Sequence, residues 1–326
     1  MVVSVPMTDA NWVAVDPLSN RVFVSSRGQD LVYCLHGDDL RLLGSAKVGH
    51  LPFGLAANAT NRLLYVANYG SGSISLLSMD TCQVLATSLT GGGPTFVAVD
   101  QATGLAYAPL HPGNKVARFR DGSYLGNFTV RGEQVFAIAL DTGATPKRLY
   151  IGTRARGGGV LVYNADASPP TYMTTLTPAG FVYSIGVDVV RGSLFAIHSD
   201  TNGDNARFMT VYDRSGAILT SQPVDLGVNT FDGGGVGVVS SSGRIYVAGT
   251  DCVTNGGAPC AWYASNSRVQ MLNGVPPALQ ASLTDAVIPR GPFGVAIDES
   301  RGRVYVTSKG AGGWLSAISD ASLPGP

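Results

Sequence analysis

A unit of short strand-forming segments recurs along this chain and limits the possible folds more than any other feature. The clearest copy, residues 48–77, contains three such segments joined by a polar turn and a Gly/Ser turn. Three short strands with tight turns cannot bury both faces of their sheet alone, so the unit needs neighbouring copies. Seven copies recur at intervals of 40 to 58 residues. They align on Trp12, Phe53, Phe96, Phe136, Tyr183, Gly235 and Phe293.

The period of this repeat predicts the architecture. In each copy, the second strand-forming segment carries an aromatic residue at one fixed place: Phe23, Tyr65, Tyr107, Tyr150, Phe195, Tyr246 and Tyr305. Four strands in such a period are typical of a propeller blade. We therefore expect an all-β, seven-bladed β-propeller with four antiparallel strands per blade, in a single domain covering residues 1–326.

The two ends of the chain are expected to share one blade. The seventh copy supplies only three strand-forming segments, at 295–297, 304–307 and 314–318. The N-terminal segment 2–6 precedes the first copy and is free to complete that blade. We expect a closure blade built from residues 1–8 and 291–320, and loss of residues 1–6 would expose a sheet edge.

Part of the chain resembles a known repeat family. Ten positions of the clearest copy are similar to the YVTN repeat of seven-bladed propellers: Val48, Gly49, Pro52, Gly54, Ala56, Leu64, Tyr65, Val66, Ala67 and Asn68. Residues 288–308 repeat the similarity. The loop 68–73 resembles that of lactonase-type, 6-phosphogluconolactonase-like propellers, which implies hydrolysis of a lactone. Such proteins carry a His-x-His element, and the four histidines here are spaced otherwise.

Composition narrows the class of partner and the compartment. The formal net charge is zero, which argues against a broad electrostatic surface for nucleic acid, and no apolar run is long enough to span a membrane. No cleavable signal peptide is recognisable at the start, but the 13% charged content favours an extracellular or periplasmic protein over a cytoplasmic one. Cys252 and Cys260 bracket a short loop and are expected to form a disulfide. Cys34 and Cys82 belong to adjacent blades, so a second bond is possible; four free thiols are the alternative.

The two ends of the ring are expected to differ. We call the end that carries the turns between first and second strands the turn face; its Asp and Asn residues are expected to cap their own turns. We call the opposite end the channel face. Seven positions there surround the channel mouth: Asp9, His50, Gly93, Glu133, Gly180, Asp232 and Arg290. Crowded carboxylates raise one another's pKa or recruit a cation, although solvated rim residues give the same pattern.

A second group of channel-face loops adds residues suited to recognition. Tyr69, His111 and Arg154 are the leading ligand-binding candidates, with Phe53, Phe96 and Phe136 either as a stacking collar or as packing between blades. In the fifth blade, Asp200, Asn202 and Asp204 alternate as in a calcium loop, or form an ordinary polar turn.

Three functions follow from these patterns. The first is a binding module that holds a small molecule, glycan or protein segment at the channel mouth, without nucleic acid. The second is a lactone or ester hydrolase, or a lyase. In it Asp9, Glu133 and Asp232 hold calcium or magnesium, His50 is the general base and Arg290 steadies an anionic intermediate. The third is a structural subunit of an extracellular assembly. No nucleophile elbow, zinc-protease motif or phosphate loop is present in the sequence.

Overall fold

Seven antiparallel sheets stand around one axis in the computed structural model, as the repeat predicts. The structure describes residues 2–155, 157–177, 180–199, 206–220, 224–229, 235–249, 268–274, 277–284, 291–309 and 312–319. Each blade runs from an inner strand beside the axis to an outer strand at the rim. A 3₁₀ turn, Glu299–Arg301, follows the inner strand of the seventh blade.

The strands of the first four blades are short and regular. Blade 1 consists of β2 (Ala10–Asp16), β3 (Arg21–Ser26), β4 (Leu31–His36) and β5 (Leu42–Lys47). Blade 2 consists of β6 (Pro52–Asn58), β7 (Leu63–Asn68), β8 (Ser73–Ser78) and β9 (Val84–Leu89). Blade 3 consists of β10 (Gly93–Pro94), β11 (Ala98–Val99), β12 (Leu105–His111), β13 (Lys115–Arg120) and β14 (Ser123–Thr129). Blade 4 consists of β15 (Val135–Asp141), β16 (Arg148–Thr153), β17 (Val160–Asn164) and β18 (Thr171–Leu176).

The remaining blades repeat the same order. Blade 5 consists of β19 (Val182–Asp188), β20 (Ser193–His198), β21 (Ala206–Tyr212) and β22 (Val224–Asn229). Blade 6 consists of β23 (Val236–Val239), β24 (Arg244–Gly249), β25 (Arg268–Asn273) and β26 (Ala278–Thr284). Blade 7 consists of β27 (Pro292–Asp298), β28 (Arg303–Ser308) and β29 (Trp314–Ser319), with β1 (Val2–Pro6) as its outer strand.

The N-terminal strand closes the ring, which confirms the prediction from the sequence. Strand β1 pairs antiparallel with β29 in a register that runs from Val2 opposite Ile318 to Pro6 opposite Trp314. The hydroxyls of Ser4 and Ser316 are hydrogen-bonded at 2.8 Å across this pair. With β1 added, the sheet of blade 7 has four strands, like those of blades 1, 2, 4, 5 and 6, whereas the inner strand of blade 3 is split into β10 and β11.

The aromatic residue of each second strand lies between blades. Phe23, Tyr65 and Tyr305 have no exposed surface. Their hydroxyls, where present, reach the adjacent blade: Tyr65 accepts a 2.9 Å hydrogen bond from the amide of Gly122, and Tyr305 donates to the carbonyl of Gly37. Burial of each ring contributes about 2 to 3 kcal/mol, and the hydroxyl fixes how neighbouring sheets meet.

A disulfide joins the first two blades. Cys34 lies on β4, Cys82 lies in the turn after β8, and their Cα atoms are 6.3 Å apart. Both residues are buried in the cluster between blades 1 and 2. Cys34 and Cys82, which the sequence indicated only as a possible pair, are therefore disulfide-bonded. The predicted bond between Cys252 and Cys260 lies outside the described residues.

Buried carboxylates on the turn face connect neighbouring blades. Each caps its own turn; Asp16, for example, accepts from the amide of Leu18 at 3.1 Å. The same carboxylates also bind cations of the next blade: Asp16 binds Arg62, Asp100 binds Lys147 and Asp141 binds Arg214. Sequence reasoning found the caps but missed these pairs, because the partner is 46 to 73 residues away in the chain.

The other junctions of the turn face are bridged as well. Gln101 bonds both Ala57 and Ala59 between blades 3 and 2. The remaining bridges use Arg191 to Ser240, Glu299 to the amides of Ser240 and Ser241, and Arg301 to Pro17. These bonds form a complete circle of blade-to-blade contacts, so the turn face holds the ring together.

Candidate functional site

A backbone irregularity directs one aromatic side chain of most blades toward the axis. In blades 1, 2, 4, 5 and 7 the ladder between the first and second strands shifts register at the position of the aromatic residue. In blade 3 the inner strand is interrupted between β10 and β11, where Phe96 lies. A β-bulge re-aims the side chain that it displaces. The aromatic residues that align the repeat therefore leave the ordinary alternation of a strand.

These rings meet across the axis. Trp12 of blade 1 contacts Phe96 of blade 3 with ring centres 4.7 Å apart. Phe53 of blade 2 contacts Phe136 of blade 4 at 6.0 Å and Phe293 of blade 7 at 6.3 Å. Blades that are not neighbours can make such contacts only through the centre. We call Trp12, Phe53, Phe96, Phe136 and Phe293 the aromatic floor.

The aromatic floor differs from both alternatives considered for these residues. Its rings pack edge to face on one another instead of filling wedges between adjacent blades. Phe53, Phe96 and Phe136 are at least 92% buried, so little of their surface faces solvent. Their predicted role in ligand binding stays a prediction.

Cations of the channel-face loops lie on this floor. The guanidinium of Arg154 is 4.6 Å from the ring centre of Phe136 and 4.7 Å from that of Tyr183. Arg27 lies 5.7 Å from the centre of Phe53, and the ammonium of Lys309 lies 3.4 Å from that of Phe293. Aromatic faces attract cations, so the rings hold all three in place. Among the described residues, no carboxylate forms an ion pair with Arg27 or Arg154.

His111 is held beside the same ring. Its imidazole meets Phe136 edge to face at 5.5 Å and lies 6.4 Å from the ring of Tyr69. Its Nδ1 is 3.2 Å from the carbonyl oxygen of Val135, which can only accept, so Nδ1 carries the hydrogen and Nε2 a lone pair. Burial and the charge of Arg154 lower the pKa of His111 below its usual value despite the bond to Val135. The imidazole is therefore neutral at neutral pH.

A cavity opens where blades 3, 4 and 5 meet at the channel face. Its volume is about 480 Å³, and its lining residues are His111, Glu133, Gln134, Arg154, Ala155 and Phe181. A second cavity of about 330 Å³ adjoins it and shares Glu133 and Ala155. The structure thus brings three of the predicted site residues together: His111, Glu133 and Arg154. Tyr69 lies next to His111 but does not line the cavity.

His50 belongs to a different pair. Its Nδ1 is 3.1 Å from Oδ1 of Asp30, and its side chain is 63% exposed. Burial acts to raise the pKa of Asp30, but the bonds from the Leu51 amide and from His50 outweigh burial and lower it. Sequence reasoning missed Asp30 because it reads as an ordinary turn residue; only the fold brings it to His50.

The predicted metal ligands do not form one cluster in the described part of the chain. Asp9 is exposed, with a left-handed backbone (φ 58°), and its amide donates to the carbonyl of Gly312. Across the described residues, no three His, Cys, Asp or Glu side chains converge as metal ligands do. The other residues of the predicted set lie outside the described ranges: Asp232, Arg290, Asp200, Asn202 and Asp204.

Comparisons with solved structures support the fold. The chain is similar over 98% of its length to a hydrazine synthase chain from Kuenenia stuttgartiensis (TM-score 0.75, 12% identity, 97% of that chain). The β-propeller domain of Cps50 (Swd1) from Myceliophteria thermophila gives a TM-score of 0.74 at 10% identity, over 98% of this chain and 99% of that one. A chain of the mitotic checkpoint complex gives a TM-score of 0.73 at 12% identity, over 98% of this chain and 91% of that one. Identities this low establish the fold alone.

No family model matches the sequence. No curated protein matches it either. In the described ranges, no helix is long and apolar enough to cross a membrane.

Proposed function

We propose that this protein is a binding propeller whose channel face holds an acidic segment of a protein partner. The observation that carries the proposal is the placement of Arg27, Arg154 and Lys309 on the aromatic floor. Three cations held over buried rings have little freedom left to lose when a carboxylate binds. Charge-assisted hydrogen bonds to them are about twice as strong as neutral ones.

Propellers of this fold occur in protein complexes, which is consistent with a protein partner: one of the similar structures is a chain of the mitotic checkpoint complex. The rings of the aromatic floor contact one another across the axis, so we expect a segment to lie across the face. The formal net charge of the whole chain is zero, so attraction for an acidic segment has to come from local groups of cations such as this one.

A labelled glutamate decapeptide tests the proposal directly. We expect it to bind the wild-type protein in fluorescence anisotropy, while a glutamine decapeptide of the same length does not. Replacing Arg27, Arg154 and Lys309 together by glutamine is expected to weaken binding at least about a hundredfold, since each charged hydrogen bond contributes about 1.5 to 3 kcal/mol. Arg120→Gln, at the exposed turn-face end of the third strand β13, is the control. Equal binding of the two peptides would contradict the proposal.

A second candidate function rests on His50 and Asp30. The carboxylate holds Nδ1 of His50, as in hydrolases where an acid orients the base. This pair supports the lactone or ester hydrolase that the lactonase resemblance implies, whereas Glu133, the other predicted catalytic residue in the described ranges, lies at the separate cavity with His111 and Arg154. His50→Ala is then expected to abolish turnover of an aryl ester or a γ-lactone and leave the melting temperature near that of the wild type. Retained turnover would rule out this mechanism.

We also propose that the protein is extracellular or periplasmic and is a structural subunit of an assembly there. The support is the buried disulfide between Cys34 and Cys82, since such bonds persist in oxidising compartments. Protein purified without reductant from its own source is expected to show both cysteines protected from alkylation after unfolding. Full alkylation of both would point to the cytoplasm.

A further inference from the structure

The cavity between blades 3, 4 and 5 contains charges of both signs. Its volume of about 480 Å³ is within the range of about 300 to 1,000 Å³ found for small-molecule sites. Arg154 supplies a cation and the exposed Glu133 an anion, and Gln134 lines the same cavity. The amide of Arg154 donates to the carbonyl of Gln134 at 2.9 Å, so the two loops that carry the charges are tied together.

The guanidinium offers only donors to a ligand. It is stacked on Phe136 and Tyr183, which leaves its N–H edge as its polar contact surface. Arg has five N–H donors and no acceptor, and its planar fork matches a carboxylate. This side of the cavity therefore suits a carboxylate.

The cavity also offers a ligand two hydrogen-bond acceptors. The carboxylate of Glu133 accepts only, and Nε2 of His111 carries a lone pair because Nδ1 donates to Val135. A neutral imidazole and a carboxylate that line the same cavity favour a ligand group with several N–H or O–H donors. An ammonium group has three donors and a positive charge that Glu133 attracts.

Neither group alone satisfies the cavity. A simple carboxylate is attracted by Arg154 but repelled by Glu133. A simple amine is attracted by Glu133 but repelled by Arg154. A molecule that carries both groups close together meets each requirement, and its own net charge is zero. We infer that this cavity binds a free α-amino acid, with its carboxylate on Arg154 and its ammonium on Glu133 and His111.

The adjoining cavity provides room for the side chain of that amino acid. It shares Glu133 and Ala155 with the first cavity, and its other walls include Arg131, Thr153 and Leu161. The site shares Arg154 with the surface proposed for an acidic segment, whereas Glu133 is not among the residues proposed to hold that segment. Variants of Glu133 therefore separate the two proposals.

Calorimetry with modified amino acids tests the inference. The standard amino acids are first screened singly by thermal shift, and the strongest binder is then compared with its N-acetyl and its C-amide derivatives. We expect each derivative to bind at least about tenfold more weakly, because each lacks one of the two charged contacts. Absence of binding by every amino acid at millimolar concentration would overturn the inference, as would equal binding of the N-acetyl form.

Two variants make the test specific. Glu133→Gln is expected to weaken the amino acid about tenfold and to leave the N-acetyl derivative bound at least as well as in the wild type, since its repulsion is gone. Arg154→Gln is expected to weaken both. Unchanged amino-acid affinity in Glu133→Gln overturns the inference even if the glutamate decapeptide still binds. If the wild-type protein does not bind the decapeptide but the amino-acid affinities of the two variants change as expected, only the proposed function is contradicted.

Discussion

The two faces of this propeller use charge in opposite ways. On the turn face, Asp16, Asp100 and Asp141 are buried and each meets a cation of the next blade. On the channel face, Arg27 and Arg154 rest on aromatic rings, without a carboxylate partner in the described ranges. Charges that are paired across a junction hold blades in register. Cations that are positioned but not neutralised remain able to bind a ligand.

Removing a ring from the aromatic floor is expected to have the largest effect. Phe53 is 5% exposed and contacts the rings of Phe96, Phe136 and Phe293. Phe53→Ala is expected to lower the free energy of unfolding by about 4 kcal/mol, the cost of a large buried cavity. Phe53→Leu, which keeps most of the volume, is expected to cost about 1.5 kcal/mol or less. Denaturant unfolding measures both, and a loss below 1 kcal/mol for the alanine variant contradicts the idea that the floor is part of the core.

A matched pair of arginine variants tests the contrast between the faces. Arg214→Met leaves the fully buried carboxylate of Asp141 without its cation and is expected to cost about 3 kcal/mol of unfolding free energy. Arg154→Met removes a cation from the floor and is expected to cost about 1 kcal/mol or less. If the two losses are equal in denaturant unfolding, the division of roles between the faces is wrong.

The pH dependence of stability gives a smaller effect with a defined sign. Burial acts to raise the pKa of Asp100, but the ammonium of Lys147 and the donors of its turn outweigh burial and lower the pKa. A lowered folded-state pKa gives stability that is complete above the unfolded value of about 4 and is lost as the pH falls further. The gap in unfolding free energy between wild type and Lys147→Met is therefore expected to be largest at neutral pH and to shrink below about pH 4. If the difference in unfolding free energy widens on acidification instead, the predicted sign of this interaction is wrong.

The repeat made the architecture predictable because it records strand spacing directly. Tyr65 and its equivalents marked the second strands, and the spare segment 2–6 marked the closure strand β1. The position of the bulge was not predictable: Trp12 and Phe53 follow the alternation of a strand in sequence, and only the shifted ladder turns them to the axis.

The sequence predicted which residues belong to the candidate site, but not which of them lie together. His111 and Arg154 were selected because they lie at equivalent loop positions, and they do meet at one cavity. Glu133 joined them there instead of His50, whose partner is Asp30. Which loop residues meet depends on side-chain direction and loop length in each blade, and repeat spacing contains neither.

One double measurement tests the central claim that the faces divide binding from stability. Arg154→Gln and Arg214→Gln remove the same charge from opposite faces, and each variant is examined for affinity to the glutamate decapeptide and for free energy of unfolding. The account predicts that Arg154→Gln loses at least about tenfold in affinity with stability within about 1 kcal/mol of wild type. It predicts that Arg214→Gln loses about 3 kcal/mol of stability and keeps its affinity while folded. Loss of peptide affinity in folded Arg214→Gln, with Arg154→Gln still binding as the wild type, would contradict it.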